Sequence, residues 1–235
     1  MPSRLSGVEL PSSCESEIKS NTLLVKKWNW DYDEALAFQK HAQSFIQKNR
    51  DLKIYIFCNH PHVFTMGRGN ERGIDGLVVL TEKQQNLVKY PIHKIHRGGG
   101  ITFHYPGQWI FYPIIAVKES YPLGDLTCWM LKSVRDVLTN EFHIENVITA
   151  NKLMGVWKNK SKLASIGIGL SKFVTEHGLA LNLVNDEDMF NEVKKINPCG
   201  IDPTTYITVE SQMENGDSSK LIENFHKAFV DTILS

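Results

Sequence analysis

Three consecutive glycines, Gly98-Gly99-Gly100, interrupt the chain between two short segments with strand character. Glycine loses more backbone freedom on folding than any other residue, so three in a row are costly unless the structure needs bare backbone there. One interpretation is a wide turn between strands, and the other is a loop whose backbone approaches a ligand and offers amide N–H groups. The flanking Arg97 and His104 favour a binding site. A phosphate-binding Walker loop is excluded, because the Gly-Lys-Ser/Thr sequence is absent at the required spacing.

The periodicity of apolar residues predicts a mixed α/β fold, because strands and helices are interspersed without strict alternation. The alternation in 52–58 and the helical spacing of apolar residues in 125–140 are the clearest examples. Asp31 is placed to cap a helix that runs to about Lys48. We predict strands at 22–28, 52–58, 63–66, 92–96, 101–104, 109–117, 156–158, 162–169 and 179–184, and helices at 31–48, 81–88, 125–140, 186–193 and 219–234.

The chain of 235 residues is long enough for one large domain, and 42% hydrophobic residues can form a substantial core. Residues 1–21 are polar and are interpreted as a flexible leader, with a single domain in 22–235. Lys and Arg balance Asp and Glu at 26 each, so bulk charge recruits neither nucleic acid nor an anionic membrane. The four cysteines show no disulfide or zinc spacing, which fits free thiols in a reducing cytoplasm.

Two further residues have the chemistry of a reactive site. Cys199 lies between Pro198 and Gly200 in a predicted turn, whereas Cys58 and Cys128 fall in a strand and a helix. Lys162 adjoins a strand that is apolar on both faces, where it either points to solvent at the strand's start or is buried with a partner. The histidines lack the spacing of a zinc hydrolase, so we predict no metal and no cofactor.

Several segments in one order resemble the lipoyl (octanoyl) transferase family over roughly residues 25 to 202. They are His60-Pro61-His62-Val63-Phe64-Thr65-Met66-Gly67-Arg68, Arg97 through Gln108, Gly155-Val156-Trp157, Lys162 through Gly167, Thr175 through Asn182, and Ile196-Asn197-Pro198-Cys199-Gly200. The resemblance implies the fold of biotin and lipoate protein ligases, a mixed sheet flanked by helices. It also implies that Cys199 carries the acyl group and that Lys162 is its catalytic partner.

The resemblance further implies which residues contact the acyl substrate. They are Arg97, Gly98, Gly99, Gly100, Ile101, Thr102, Phe103, His104, Ser165, Ile166, Gly167, Gly178, Leu179 and Ala180, with His104 and His177 shaping the site. The implied donor is octanoyl-acyl carrier protein. The implied acceptor is the apo lipoyl domain of a 2-oxoacid dehydrogenase complex or the glycine cleavage H protein. We expect a cytoplasmic monomer.

In the expected mechanism, a neighbouring lysine ammonium lowers the pKa of the cysteine thiol and stabilises its thiolate. The thiolate attacks an acyl thioester, and Lys162 then acts first as acid and later as base. Two alternatives remain: an ATP-dependent lipoate or biotin ligase, which needs no cysteine, and a non-catalytic module that binds acylated carrier protein.

Overall fold

The structure, a computed structural model, describes residues 2–69, 82–150, 154–196, 202–213 and 218–234. Its strands are β1 (Glu15–Lys19), β2 (Thr22–Lys27), β3 (Lys53–Cys58), β4 (Val63–Met66), β5 (Ile92–Lys94), β6 (Ile101–His104), β7 (Gln108–Ile115), β8 (Val147–Ala150), β9 (Gly155–Lys158), β10 (Ser161–Ser171) and β11 (Val174–Asn182). Its α-helices are α1 (Pro2–Leu5), α2 (Tyr32–Lys48), α3 (Glu82–Gln85), α4 (Leu123–Asn140), α5 (Glu187–Ile196) and α6 (Leu221–Leu234).

Eight strands form one large sheet in the order β1-β2-β3-β7-β11-β10-β9-β8. All neighbouring pairs in it are antiparallel except β2 and β3, which are parallel. The second sheet has the order β5-β4-β6, with β4 parallel to β5 and antiparallel to β6. This mixture confirms the predicted fold class.

The two faces of the large sheet are covered differently. Helices α4 and α6 pack on one face, where Phe111, Met130 and Phe225 belong to one buried cluster. Helix α2 packs on the other face through Phe38 and Ile46, and the Asp31 side chain accepts a hydrogen bond from the Glu34 amide as its cap. Helix α5 packs on the small sheet in a third cluster.

The amino-terminal segment corrects one prediction. Residues 15–19 were interpreted from their polarity as part of a flexible leader. They form β1, and every residue of β1 pairs with a residue of β2. Leu5 and Val8 are buried in the cluster under α2. Polarity misled because β1 is an edge strand whose side chains are mostly exposed, so its pattern has no apolar face to reveal it.

Strand bounds differ from the predictions mainly in length. Strand β10 extends to Ser171 and β11 begins at Val174, so they form a longer hairpin than 162–169 and 179–184 indicated. The edge strand β8 was not predicted at all. Helix α3 covers only Glu82–Gln85 of the predicted 81–88, and residue 81 lies outside the described residues.

Candidate active site

A β-bulge in β10 determines which way Lys162 points. Lys162 pairs with Trp157 and Ser165 pairs with Gly155, with a register shift between Lys162 and Ala164. Side chains two residues apart lie on one face of a strand, so Gly155 and Trp157 share a face, and so do their partners. The bulge therefore places Lys162 on the same face as Ser165, although their spacing is odd.

Lys162 is buried, with 5% of its surface exposed, which decides between the two interpretations of its position. Its Nζ lies 5.3 Å from the centroid of the Trp157 ring, a cation–π distance. A Cβ on Gly155 would lie 2.8 Å from the lysine Cε and would overlap the Ala164 carbonyl oxygen. Only a glycine at position 155 leaves room for the Lys162 side chain to extend over β9.

A second segment of chain closes over Lys162. The backbone of Tyr206 forms a parallel bridge with that of Lys162, and the Ile207 amide donates to the Lys162 carbonyl over 3.2 Å. Tyr206 is only a few residues from Cys199 in sequence. Residues 197–201, including Cys199, lie outside the described residues, so the predicted proximity of its sulfur to the lysine nitrogen stays a prediction.

Two adjoining pockets occupy the space between the large sheet and the small sheet, with about 320 and 340 Å³ of empty volume. Thr102 and Ser165 line both, so the pockets form one groove along β10. The structure brings most of the predicted contacts together here: Arg97, Ile101, Thr102, Phe103, His104, Ser165, Ile166, Gly167, His177, Gly178, Leu179 and Ala180. Gly98 and Gly99 line a third pocket beyond the loop, and Gly100 is buried beside Arg97.

Arg97 fixes the glycine loop to the small sheet. Its Nη1 donates to the carbonyls of Gly98 and Gly100, and its Nη2 donates to the Thr65 carbonyl, the Thr65 hydroxyl and the Thr102 hydroxyl. All five distances are between 2.9 and 3.0 Å. Arg97 is therefore both a lining residue and the anchor of the loop.

The glycine loop meets protein backbone at Gly98. The Gly98 amide donates to the Ile168 carbonyl over 3.1 Å, so it is not free to bind a ligand as the sequence interpretation expected. Gly99 has φ +79°, a left-handed conformation that favours glycine. Its carbonyl oxygen lies 2.6 Å from where a Cβ on Gly67 would stand. Close backbone packing explains why this loop is built from glycine.

Two buried histidines, His104 and His177, line the first pocket together with Ser165. His104 accepts a hydrogen bond from the Thr65 hydroxyl at Nε2 and donates from Nδ1 to the Gln108 side-chain oxygen, 2.7 Å away. Burial lowers the pKa of His104 well below its ordinary value. The amide of His177 donates to the Gln39 side chain over 2.8 Å, and burial followed by the Arg97 charge lowers its pKa to about 3. Both rings are neutral at pH 7, which suits residues that shape the site.

A further histidine, His60, packs against His104 and against two tyrosines, Tyr32 and Tyr112. Sequence reasoning did not assign these three residues to the site. Burial lowers the pKa of His60 to about 4; its Nδ1 donates to the Trp30 carbonyl and its Nε2 accepts from the Tyr112 hydroxyl. Tyr112 and Tyr32 line the first pocket. They were missed because Tyr112 lies in an unbroken apolar strand and Tyr32 on the apolar face of α2, where core packing is the simpler expectation.

The cysteines that the structure describes are poor nucleophiles for this groove. Cys58 is completely buried, and burial raises the pKa of its thiol well above the ordinary value. Burial also raises the pKa of Cys14, which packs near the α2 cluster. Cys128 is exposed on α4. None of the three lines the two pockets of the groove.

Within the described ranges, no group of three or more His, Cys, Asp or Glu side chains is arranged to hold a metal ion. The described residues also contain no helix with both the length and the apolar character needed to cross a bilayer.

The lipoyl protein ligase A/B catalytic domain matches this chain over residues 31–230, which include the whole groove. The chain belongs to this family. Its relatives include a chloroplastic octanoyltransferase, LIP2p2, of Arabidopsis thaliana, which is 31% identical over 218 residues, 91% of this chain and 73% of the relative. An octanoyltransferase of Flavobacterium psychrophilum is 31% identical over 216 residues, 86% of this chain and 90% of its own length.

Solved structures that resemble this chain show which fold it has. The P. falciparum protein LipL1 in complex with lipoate has a TM-score of 0.65 at 14% identity, over 90% of this chain and 61% of that protein. A lipoate-protein ligase A bound with ATP has a TM-score of 0.61 at 11% identity, over 92% and 86%. At these identities the likeness concerns the fold alone. Sequence relatives group this member of the family with the octanoyltransferases, which are acyltransferases.

Proposed function

We propose that this chain is an octanoyltransferase of protein lipoylation that works through an acyl thioester on Cys199. The donor is octanoyl-acyl carrier protein. The acceptor is the target lysine of an apo lipoyl domain, in a 2-oxoacid dehydrogenase complex or the glycine cleavage H protein. The observation that carries the proposal is a buried lysine at the head of the groove. Lys162 is 5% exposed and lies on the groove face of β10.

Family relatives named octanoyltransferase support the acyl chemistry. Residue chemistry supports the choice of nucleophile, because burial makes Cys58 and Cys14 harder to ionise and Cys128 is exposed on α4, outside the groove. Cys199 follows α5, the helix that lines the second pocket through Met189 and Val193. It precedes Tyr206, which bridges Lys162.

In the first half-reaction the Cys199 thiolate attacks the carbonyl carbon of the donor thioester. A new S–C bond forms, the bond to the carrier thiol breaks, and the Lys162 ammonium protonates the departing thiolate. One thioester replaces another, so no nucleotide is consumed. The lysine is left neutral, and the octanoyl tail lies along the groove from Lys162 towards Gly167.

The second half-reaction requires an acceptor amine that has lost one proton to solvent. This amine attacks the acyl–Cys199 carbonyl, the C–N bond forms, and the Cys199 thiolate leaves. Neutral Lys162 takes the second proton from the attacking nitrogen, which restores the starting ammonium and thiolate. One lysine thus serves both halves.

Replacing Lys162 by Met tests the proton role. Each half-reaction measured in a single turnover should slow on the order of 100-fold or more, because general acid–base catalysis is lost while a side chain of similar length keeps the packing. Lys160, exposed in the turn before β10, gives the matched control Lys160→Met with wild-type rates. Unchanged rates in Lys162→Met with a weaker donor affinity would assign the lysine to binding.

A further inference from the structure

The floor of the groove consists of pairs of small residues on β10 and β11, here called rungs. Ser165 pairs with Ala180 and Gly167 with Gly178, and the next rung, Gly169 with Glu176, lies beyond the groove. Lys162 heads this row on the same face. A tail that starts at Lys162 therefore meets first the Ser165 rung and then the Gly167 rung, a run on the order of 15 Å at the rise of a strand.

Past Gly167 the floor is covered by protein. A Cβ on Gly167 would lie 2.8 Å from the Gly98 carbonyl oxygen and 3.1 Å from the Arg97 Cδ. A Cβ on Gly169 would overlap the His96 carbonyl oxygen. The backbone of 96–98 thus rests directly on these two rungs and closes the groove at its far end.

This end wall is held in place from both sides. The Gly98 amide donates to the Ile168 carbonyl, and three Arg97 hydrogen bonds, two to Thr65 and one to Thr102, tie the wall to β4 and β6. A further, open pocket lies beyond, and Arg97 lines both it and the first pocket. Arg97 and the wall therefore stand between the groove and this second pocket.

We infer that the wall formed by 96–98, with Ile95 against it, sets the longest acyl tail that the enzyme accepts. This inference rests on the proposed function and deepens it by assigning chain-length selectivity to named residues. Ile95 lines the closed end of the groove, is half-buried, and anchors the wall through its amide, which donates to the Met66 carbonyl over 2.9 Å. Tails that end at the edge of the Gly167 rung fit, and longer tails collide with Ile95 and with the backbone of 96–98.

The test measures kcat/KM for hexanoyl, octanoyl, decanoyl, dodecanoyl and tetradecanoyl pantetheine thioesters in the wild type and two variants. In the wild type the value should fall at least about tenfold between octanoyl and tetradecanoyl, as expected when methylenes have no room. Ile95→Ala shortens a side chain at the closed end and should raise the tetradecanoyl-to-octanoyl ratio about tenfold. Ala180→Val fills the Ser165 rung and should raise the hexanoyl-to-octanoyl ratio.

Ile92→Ala is the matched control, because Ile92 is a half-buried isoleucine of the same small sheet that packs in the α5 cluster and does not line the groove. Its chain-length profile should equal that of the wild type. An Ile95→Ala profile identical to the wild type, or the same shift in Ile92→Ala, would overturn the inference.

A binding readout separates this inference from the proposed function. The rise in melting temperature caused by each thioester reports how well its tail fits, even where no acyl group is transferred. Suppose the stabilisation depends on chain length and this dependence shifts in Ile95→Ala, but no acyl group is transferred; the proposed function is then wrong and the chain-length inference holds. If all tails are transferred equally well, the proposed function holds and the chain-length inference is wrong.

Discussion

Lys162 shows why a single position resists prediction from sequence. Parity along the strand puts residue 162 on the face opposite Ser165, and only the bulge reverses that assignment. A bulge has no sequence signature in Ser161-Lys162-Leu163-Ala164, so burial and exposure were equally compatible with the pattern. The glycines and histidines were easier, since their chemistry is visible without knowing which way they point.

Tyr32 has a buried hydroxyl group that makes no hydrogen bond to the described residues. This tyrosine is 3% exposed, and its hydroxyl has no hydrogen-bond partner among the described residues. Tyr32→Phe should therefore raise the free energy of unfolding by about 1–3 kcal/mol, the cost of an unsatisfied buried group. Urea denaturation measures it.

Tyr112→Phe is the control with the opposite sign. The Tyr112 hydroxyl donates to His60 Nε2 over 3.1 Å, so its removal loses a hydrogen bond and leaves the buried ring nitrogen with only the weak donor Cys58 Sγ, 3.8 Å away. That variant should be less stable than the wild type. Equal losses of stability in both variants would mean that the Tyr32 hydroxyl is paired after all.

Among the secondary-structure elements, β9 and β10 act as one device for presenting the lysine. Gly155 makes room for the Lys162 side chain, and Trp157 provides the ring beneath its nitrogen. Both residues lie in one of the segments that resemble the transferase family. Their role towards Lys162 could not be predicted, because it depends on the register between β9 and β10.

Gly155→Ala should lower transfer on the order of 100-fold and destabilise the fold by a few kcal/mol, because its Cβ displaces both the Ala164 carbonyl and the lysine stem. Gly124, in the first turn of α4, has no atom within 4 Å of an added Cβ. Gly124→Ala should keep wild-type activity and gain up to about 1 kcal/mol from better helix propensity. Activity assays and urea denaturation of both variants decide. Wild-type transfer in Gly155→Ala would contradict the role given to this glycine.

Periodic elements were predictable, and edge elements were not. Helices α2 and α4 and strands β3 and β4 follow from apolar spacing within a few residues. The edge strand β1 exposes most of its side chains and was taken for part of a flexible leader, and the four-residue edge strand β8 has one buried side chain. Their structure depends on pairing with β2 and β9, which no local pattern encodes.

For the molecule as a whole, the site lies between the two sheets and is surrounded by neutral, buried histidines. Folding lowers the pKa of His60 to about 4 and that of His177 to about 3, from an ordinary 6.5. The unfolded chain binds these protons more readily, so this contribution to stability is present above about pH 6.5 and is lost as pH falls towards 4. The free energy of unfolding should fall by a few kcal/mol across that window.

Nitrogen NMR of the imidazole rings checks the cause directly. Both rings should remain neutral at about pH 5 in the folded protein, although an ordinary histidine would be mostly charged there. Charged rings at that pH, with stability unchanged, would contradict the burial of these two histidines.

Assembly of the site from distant segments is the part that sequence alone supported only by resemblance. The loop at 97–100, the strand at 162–167 and the strand at 178–180 come together because β10 pairs with β11 and the small sheet lies above them. Cys199 has to join them for acyl transfer to occur.

An intact-mass measurement after mixing the protein with octanoyl-acyl carrier protein, followed by peptide mapping, tests that requirement. We expect one octanoyl group on the peptide that carries Cys199, released when apo lipoyl domain is added, and absent in Cys199→Ala. Transfer to the lipoyl domain by Cys199→Ala, or an acyl group mapped to Cys14, Cys58 or Cys128, would contradict the proposed chemistry.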